Sequence, residues 1–155
     1  MYNYIRKAYV KDLERIAEIE IFCYRLNFYP IFRNDEYYFE ELSVSNLIGK
    51  YSDFISEDVY VYDDGVVKGF LWVSEKQIKK LFVEPVLQRN GIGAVLFQYA
   101  VDILGCEYLW VLRKNNKAIK FYESHGFCLT DEKVLEDGTD EYLIKMKNAN
   151  KKARF

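Results

Sequence analysis

The chain has 155 residues, half of them apolar and 30% charged, and its 22 basic and 24 acidic side chains give a net charge of −2. This composition is typical of one globular domain with its own core, and it excludes a disordered chain. The balanced charge argues against a dedicated nucleic-acid binder, so no nucleic-acid partner is expected. No apolar run reaches the roughly 20 residues of a membrane span, and residues 1–7 lack the apolar core of a signal peptide. The sequence therefore predicts a cytoplasmic protein with no membrane partner.

Three cysteines and one histidine narrow the chemistry further. Cys23, Cys106 and Cys128 are isolated thiols without a CxxC pair, so neither a disulfide framework nor a zinc site is predicted, and no metal is expected. His125 is the only histidine, and no GxSxG motif accompanies it, which argues against a histidine-based triad. The unusual feature is the content of 14 Tyr and 11 Phe, which is typical of an aromatic core or an aromatic-lined pocket.

The first third of the chain predicts a short strand followed by a helix. Tyr4–Ala8 has the pattern of a strand, and apolar residues at helical spacing begin after Asp12, a candidate N-cap. Residues 24–56 are rich in aromatic side chains. Pro30 predicts a break in that segment, and a helix is expected around residues 35–50.

The rest of the chain alternates strands and helices. Asp63–Gly65 is predicted to be a hairpin turn, because glycine adopts a positive φ at little cost. Apolar residues within Ile92–Ile103 recur at helical spacing, and Gly105 closes that helix. Asn115 caps a second helix that ends at Gly126. The predicted strands of this part are Asp58–Tyr62, Val66–Ser74, Gln77–Val83, Tyr108–Leu112, Phe127–Leu135 and Glu141–Met146.

This order of elements predicts an α/β (α+β) fold, with one twisted mixed sheet of about six to seven strands and helices on both faces. No repeat, low-complexity stretch or interdomain linker interrupts the pattern. Residues 1–147 are expected to form the domain, and residues 148–155 are expected to be a basic, frayed tail.

A loop with two glycines follows the strand Gln77–Val83 and opens the next helix. Unpaired backbone N–H groups at a helix start, together with the helix dipole, attract an anion such as phosphate. Gly91 and Gly93 lack a Cβ, so a phosphate can approach the backbone closely, and Arg89 adds a cation. The spacing is neither GxGxxG nor GxxxxGK[ST], which disfavours a Rossmann dinucleotide site and a P-loop. The loop consists of Gln88, Arg89, Asn90, Gly91, Ile92 and Gly93.

A second motif, NNKAIKFYESHGF, occupies residues 115–127. Together the two motifs resemble the GCN5-related N-acetyltransferase (GNAT) family, whose loop reads Q/R-x-x-G-x-G/A and whose later segment reads N-x-x-A-x-x-F/L-Y-x-x-x-G-F. The resemblance covers nearly the whole chain except about residues 24–56. It implies a GNAT-like single domain that uses acetyl-CoA as co-substrate and moves its acetyl group to a primary amine.

The resemblance implies that three segments contact the coenzyme. Backbone groups of the strand would pair with the pantetheine arm, and N–H groups of the glycine loop would hold the pyrophosphate. The second helix would supply an asparagine to the pantetheine and a lysine near the phosphates. The residues so assigned are Leu81, Phe82 and Val83 on the strand, Gln88, Arg89, Asn90, Gly91, Ile92 and Gly93 in the loop, and Asn115 and Lys117 on the helix.

The implied catalytic residue is Tyr122, which would protonate the departing thiolate after direct attack by the amine. A phenol with a pKa of about 10 keeps its proton at neutral pH and can donate it in a dry site. The general base stays open, because some relatives carry a Glu on the strand before the second motif, whereas Tyr108–Leu112 has no carboxylate. Glu75 and Glu84 flank the sheet, and the sequence orients neither of them.

The acceptor is predicted to be a small-molecule amine, because the aromatic residues of segment 24–56 would suit a closed pocket. The same rings could equally cap the core. The alternatives are an N-terminal or lysine amine of a peptide or protein, and a module that binds acetyl-CoA without turning it over. The final hairpin leaves a homodimer open.

Overall fold

The computed structural model describes residues 1–53 and 55–149. Seven strands and six helices follow one another along these residues, with a π-helical turn at Tyr37–Glu41 and short 3₁₀ turns at Val10–Asp12 and Pro85–Leu87. The strands are β1 (Ile5–Lys7), β2 (Val59–Asp63), β3 (Val67–Ser74), β4 (Gln77–Val83), β5 (Tyr108–Leu112), β6 (Phe127–Leu135) and β7 (Tyr142–Asn148). The helices are α1 (Leu13–Asn27), α2 (Tyr29–Phe32), α3 (Val44–Tyr51), α4 (Ile55–Asp58), α5 (Ile92–Asp102) and α6 (Asn116–Ser124).

The strands form one mixed sheet in the order β1-β2-β3-β4-β5-β7-β6, which confirms the predicted architecture. Neighbouring strands are antiparallel except β4 and β5, which run parallel. Those two strands pair only at Gln77 with Tyr108 and at Ile78 with Leu109. Beyond these pairs they part, and the gap between them becomes the main cleft of the protein.

Helices cover both faces of the sheet, as predicted, and each face has its own core. On one face, Ile16 of α1 and Tyr51 of α3 pack in a buried cluster with Phe70 of β3. On the other face, Phe97 of α5 packs in a second cluster with Leu71. Because successive strand residues point to opposite faces, Phe70 and Leu71 anchor the two cores from adjacent positions.

Segment 24–56 departs from its prediction in two places. The single helix expected around residues 35–50 is wrong, because the chain forms the π-helical turn and then α3 as separate elements. Ser43 starts α3, since its Oγ accepts a hydrogen bond of 3.3 Å from the Asn46 N–H. Pro30 does not break a helix but lies in the first turn of α2, where its missing N–H leaves no hydrogen bond unmade.

The other boundaries follow the sequence closely. β4, β5 and β6 have the predicted ends, and β7 continues to Asn148. Residues 150–155 of the predicted tail lie outside the described residues. Over residues 1–53 and 55–149, no helix combines the length and the apolar character needed to cross a bilayer.

Candidate functional site

A cleft of 1120 Å³ opens where β4 and β5 part. β4 forms one wall, and β5 with α6 forms the opposite wall. The glycine loop lies at one end of the cleft. Aromatic residues that follow α1 and the turn between β6 and β7 enclose the other end.

The backbone of β4 has polar groups directed at this cleft. The Glu84 N–H donates to the Lys68 carbonyl at 2.9 Å, so the Glu84–Lys68 pair is hydrogen-bonded across β3 and β4. Because such pairs alternate along an antiparallel ladder, Phe82 also bonds to β3, whereas Leu81 and Val83 direct their N–H and C=O groups toward β5. β5 has already parted from β4 at that level, so the N–H groups of both residues and the Leu81 carbonyl face the cleft. The Val83 carbonyl is already engaged, because it accepts from Cys23 Sγ at 3.2 Å and from a glutamine of the glycine loop.

The glycine loop has the backbone shape that the sequence requires. Gly91 has a φ of +84° and is the N-cap of α5, a conformation that a residue with a Cβ adopts only with strain. A Cβ built on Gly91 would meet no atom within 4 Å, so the space above the loop is open. The first turn of α5 therefore presents its unpaired backbone N–H groups toward this open space.

Gln88 connects three parts of the site. Its Nε2 donates to the Val83 carbonyl at 3.1 Å, and its Oε1 accepts from the Lys117 Nζ at 3.0 Å. One side chain therefore joins the end of β4, the glycine loop and α6.

α6 contributes the two remaining residues that the sequence singled out. Asn115 caps the helix, because its Oδ1 accepts a hydrogen bond of 3.2 Å from the Ala118 N–H. Tyr122 packs among rings, with its centroid 5.7 Å from that of Phe97 and 5.4 Å from that of Phe121. Burial raises the pKa of Tyr122 to about 12, so the phenol is protonated throughout the physiological range.

The structure brings ten of the twelve predicted site residues into the lining of one cleft. Ile92 and Asn90 do not line it: the Ile92 side chain is buried in the core under α5, and the Asn90 Nδ2 donates to the Leu87 carbonyl at 3.1 Å. The ten that line the cleft are Leu81, Phe82, Val83, Gln88, Arg89, Gly91, Gly93, Asn115, Lys117 and Tyr122.

Neither of the carboxylates that flank the sheet lines the cleft. Glu84 pairs with Arg15 at 3.3 Å, and its Oε2 is buried without a hydrogen-bonding partner among residues 1–53 and 55–149. Glu75 lies at the turn between β3 and β4 with a φ of +55°. Within the described part of the chain, no three His, Cys, Asp or Glu residues are grouped as a metal site.

The sequence left open whether the aromatic residues of segment 24–56 line a pocket or cap the core, and in the structure they do both. They pack against the core under α1, and they also line the cleft. Across the cleft from them, Glu136 lies in the turn between β6 and β7. Burial and the charges of Glu20 and Glu136 hold the pKa of Tyr24 well above its ordinary value. The aromatic residues that combine both positions are Tyr24, Phe28, Phe32, Tyr37 and Tyr38.

Sequence reasoning missed a buried ion pair behind this wall. The Lys80 Nζ lies 2.8 Å from Glu20 Oε1, with the two side chains 10% and 1% exposed. The Tyr51 hydroxyl donates to the same carboxylate oxygen at 2.6 Å. The missed signal is a charged residue at two core positions, Glu20 on the apolar face of α1 and Lys80 on the β4 face that carries Phe82.

Comparison with known proteins agrees with this geometry. Residues 56–128 match the model of the acetyltransferase (GNAT) domain. The chain is therefore similar to the GNAT family over these residues, which make up just under half of its length. β1 and the helices before residue 56, together with most of β6 and all of β7, lie outside the matched residues.

Two peptidyl-lysine N-acetyltransferases are similar in sequence to part of this chain. The chain is 37% identical over 70 residues to the peptidyl-lysine N-acetyltransferase YiaC of Escherichia coli, a match that covers 44% of this chain and 48% of that protein. It is 29% identical over 89 residues to YjaB of Salmonella typhimurium, which bears the same description, covering 56% of this chain and 61% of YjaB. The chain thus spans about half to three fifths of these relatives.

Solved structures match over nearly the whole chain and establish the fold. The apo form of YjaB from Escherichia coli superimposes with a TM-score of 0.72 at 22% identity, covering 93% of this chain and 95% of that one. The PaiA N-acetyltransferase of Thermoplasma acidophilum, solved in complex with coenzyme A, superimposes with a TM-score of 0.68 at 23% identity, covering 92% and 97%.

Proposed function

We propose that this protein transfers the acetyl group of acetyl-CoA to a primary amine. The observation that carries the proposal is the parting of β4 and β5, which leaves backbone groups of β4 facing a cleft that ends at the glycine loop. The match of residues 56–128 to the acetyltransferase (GNAT) domain supports the same activity.

The glycine loop and α6 fit the charged half of the coenzyme. Backbone N–H groups from Gln88 to Gly93 would bind the pyrophosphate, helped by the dipole of α5. Asn90 and Ile92 would take part through their N–H groups alone, because their side chains are engaged elsewhere. Arg89 and Lys117 line the same end of the cleft and would add positive charge.

β4 fits the pantetheine arm. Leu81 and Val83 would pair with its amides through their backbone groups, and a backbone N–H would polarise the acetyl carbonyl. Phe82 would contribute its ring, because its backbone groups bond to β3. Asn115 lines the opposite wall, where its side chain could reach the pantetheine in addition to capping α6.

Acetyl transfer would proceed by direct attack of the neutral amine on the thioester carbonyl. The C–N bond forms, the C–S bond breaks, and Tyr122 donates its proton to the departing thiolate. The proton that the nitrogen loses on becoming an amide restores the Tyr122 phenol. The dry surroundings that raise the pKa of Tyr122 keep that proton available.

The acceptor would be a primary amine that carries positive charge before it reacts. Tyr rings and the Glu136 carboxylate line the acceptor end of the cleft, and both attract an ammonium group. A small-molecule amine fits the aromatic enclosure. A peptide lysine is the second candidate, and the names of the YiaC and YjaB relatives favour it.

The test is a calorimetric titration of acetyl-CoA into the wild type and Gly91→Glu, followed by an acceptor screen. The substitution places a carboxylate where the pyrophosphate would lie. Gly105→Glu is the matched control, because Gly105 also has a positive φ of +72° and open space around it but does not line the cleft. We expect micromolar binding, near −8 kcal/mol, that Gly91→Glu abolishes and Gly105→Glu preserves. A wild type that binds no acetyl-CoA would overturn the proposal.

A further inference from the structure

The buried ion pair of Lys80 and Glu20 borders the acceptor end of the cleft. Lys80 lines the cleft beside Tyr24 and Phe82, and Glu20 lies behind it. Three rings surround the Lys80 Nζ, with centroids at 5.2 Å for Tyr24 and 5.6 Å for both Tyr51 and Trp72. The amine is therefore held in place by its surroundings, and the residue that carries it lines the cleft.

Acetyl transfer needs a proton acceptor at the acceptor end of the cleft. An alkylamine has a pKa of about 10.4, so an arriving acceptor is an ammonium ion and must lose a proton before it attacks. β5 supplies no carboxylate for that step, and Glu84 and Glu75 do not line the cleft. The carboxylates that do line it lie in the turn between β6 and β7, on the side away from β4: Glu136, Asp137, Asp140 and Glu141. Among the described residues that line the β4 wall, Lys80 and Lys79 are the titratable ones.

Lys80 differs from its neighbour Lys79 in its surroundings. Burial and the charge of Lys50 lower the pKa of Lys80, the Glu20 carboxylate raises it, and together they leave it at about 8. Lys79 is exposed, and its Nζ lies 5.9 Å from the Trp72 ring. The titratable or charged groups packed around Lys80 are Glu20 and Tyr24 from α1, and Lys50 and Tyr51 from α3.

We propose that the neutral amine of Lys80 accepts the proton of the incoming acceptor, and that Glu20 stabilises the resulting ammonium. This inference rests on the proposed acetyl transfer. The acceptor nitrogen forms its bond to the acetyl carbon, the C–S bond breaks, and the thiolate takes a proton from Tyr122. The first proton of the acceptor ammonium moves to the Lys80 Nζ and leaves through the cleft to solvent. The second proton, which the nitrogen loses once the C–N bond has formed, goes to the Tyr122 phenolate and restores the phenol. Tyr51 fixes the Glu20 oxygen that faces Lys80.

The test is the single-turnover rate of acetyl transfer to an alkylamine between pH 6.5 and 9.5, measured for the wild type and two variants. We expect the wild-type rate to rise with pH through about 8, because only unprotonated Lys80 accepts a proton. Lys80→Arg keeps the positive charge beside Glu20 but holds its own proton, so the rate should fall about a hundredfold or more and lose this rise. Lys79→Arg is the matched control on the same wall and should behave as wild type.

Glu20→Gln provides a second test that leaves Lys80 in place. Because Glu20 raises the pKa of Lys80, its neutralisation should shift the rise in rate to lower pH. A merely structural role of the pair would change stability without moving this profile. Wild-type rates in Lys80→Arg, or an unshifted profile in Glu20→Gln, would overturn the inference.

The outcomes separate this inference from the proposed function. A wild type that binds acetyl-CoA and acetylates no amine would overturn both. If the wild type acetylates amines and neither Lys80→Arg nor Glu20→Gln changes the rate or the pH profile, only the role of Lys80 would be overturned.

Discussion

The Lys117 Nζ donates a hydrogen bond of 3.0 Å to the Gln88 Oε1 and so ties α6 to the glycine loop. Gln88 also bonds to the Val83 carbonyl, so the loop is held in shape from two sides before any ligand arrives. A loop that is already ordered loses less conformational entropy on binding.

Lys117→Ala should weaken acetyl-CoA binding, because it removes both the hydrogen bond to Gln88 and a positive charge. We expect Kd to rise about fivefold at low salt, roughly 1 kcal/mol for one exposed charge, and the difference to shrink at high salt. Lys120→Ala is the control, because Lys120 is exposed on the same helix but does not line the cleft. Calorimetry at two ionic strengths measures both variants, and equal affinities would remove Lys117 from the site.

Tyr122→Phe should slow turnover by about a hundredfold, since the thiolate then departs without its proton donor. Binding of acetyl-CoA should not change, because the ring and its packing against Phe97 and Phe121 remain. Thiol release and calorimetry on the same preparation give the two quantities. Full turnover in the variant would exclude Tyr122 as the donor. Tight binding by a wild type that releases no thiol would instead favour a module that only binds the coenzyme.

Glu136→Gln should raise the KM for a cationic acceptor about fivefold and leave kcat nearly unchanged. The Glu136 carboxylate lines the cleft, and its charge contributes to the raised pKa of Tyr24, Tyr37 and Tyr38. One ion pair in a partly exposed site contributes about 1 kcal/mol to binding. Asp131→Asn on the exposed part of β6 is the control. Steady-state kinetics with a diamine and a lysine peptide would also show which acceptor class the cleft prefers.

The Asp12–Arg6 pair should make stability depend on acid pH. Asp12 is 5% exposed, and its two oxygens accept from Arg6 at 2.8 and 3.1 Å. Burial alone would raise the pKa of Asp12, but the hydrogen bonds from Arg6 and from the Tyr9 N–H outweigh it, so the pKa lies below its ordinary 3.8.

A group with a lowered pKa contributes stability above its unfolded pKa and loses it as the pH falls through the folded value. Wild type should therefore exceed Asp12→Asn by about 1–3 kcal/mol in free energy of unfolding at pH 7. The difference should disappear below pH 3.8 as Asp12 takes up its proton. Urea denaturation from pH 7 to pH 3 measures it, and a gap that is independent of pH would contradict the assignment.

The sequence predicts the second half of the fold well because its signals are local. β4, β5 and β6 are bounded by turns or glycines, and α6 by Asn115 and Gly126, each of which acts within a few residues. Segment 24–56 was harder, because the break before α3 depends on a single serine cap at Ser43.

The candidate site likewise contains residues that the sequence predicts and residues that it does not. The glycine loop and the α6 motif are contiguous, so their residues could be named from the sequence. The pairing of Lys80 with Glu20 joins residues 60 positions apart, and whether either charge is buried depends on the packing of α1 and α3 over β4. No local pattern carries that information.

The parting of β4 and β5 also bears on how freely this site can evolve. The groups of Leu81 and Val83 that we propose to bind the coenzyme are main-chain atoms, which every amino acid except proline supplies in full. Side chains on β4 can therefore diversify without loss of those contacts, and the acceptor end of the cleft can change independently of the coenzyme end. The positions under the strongest constraint would be the last paired residues, Ile78 and Leu109, because they fix where the two strands separate.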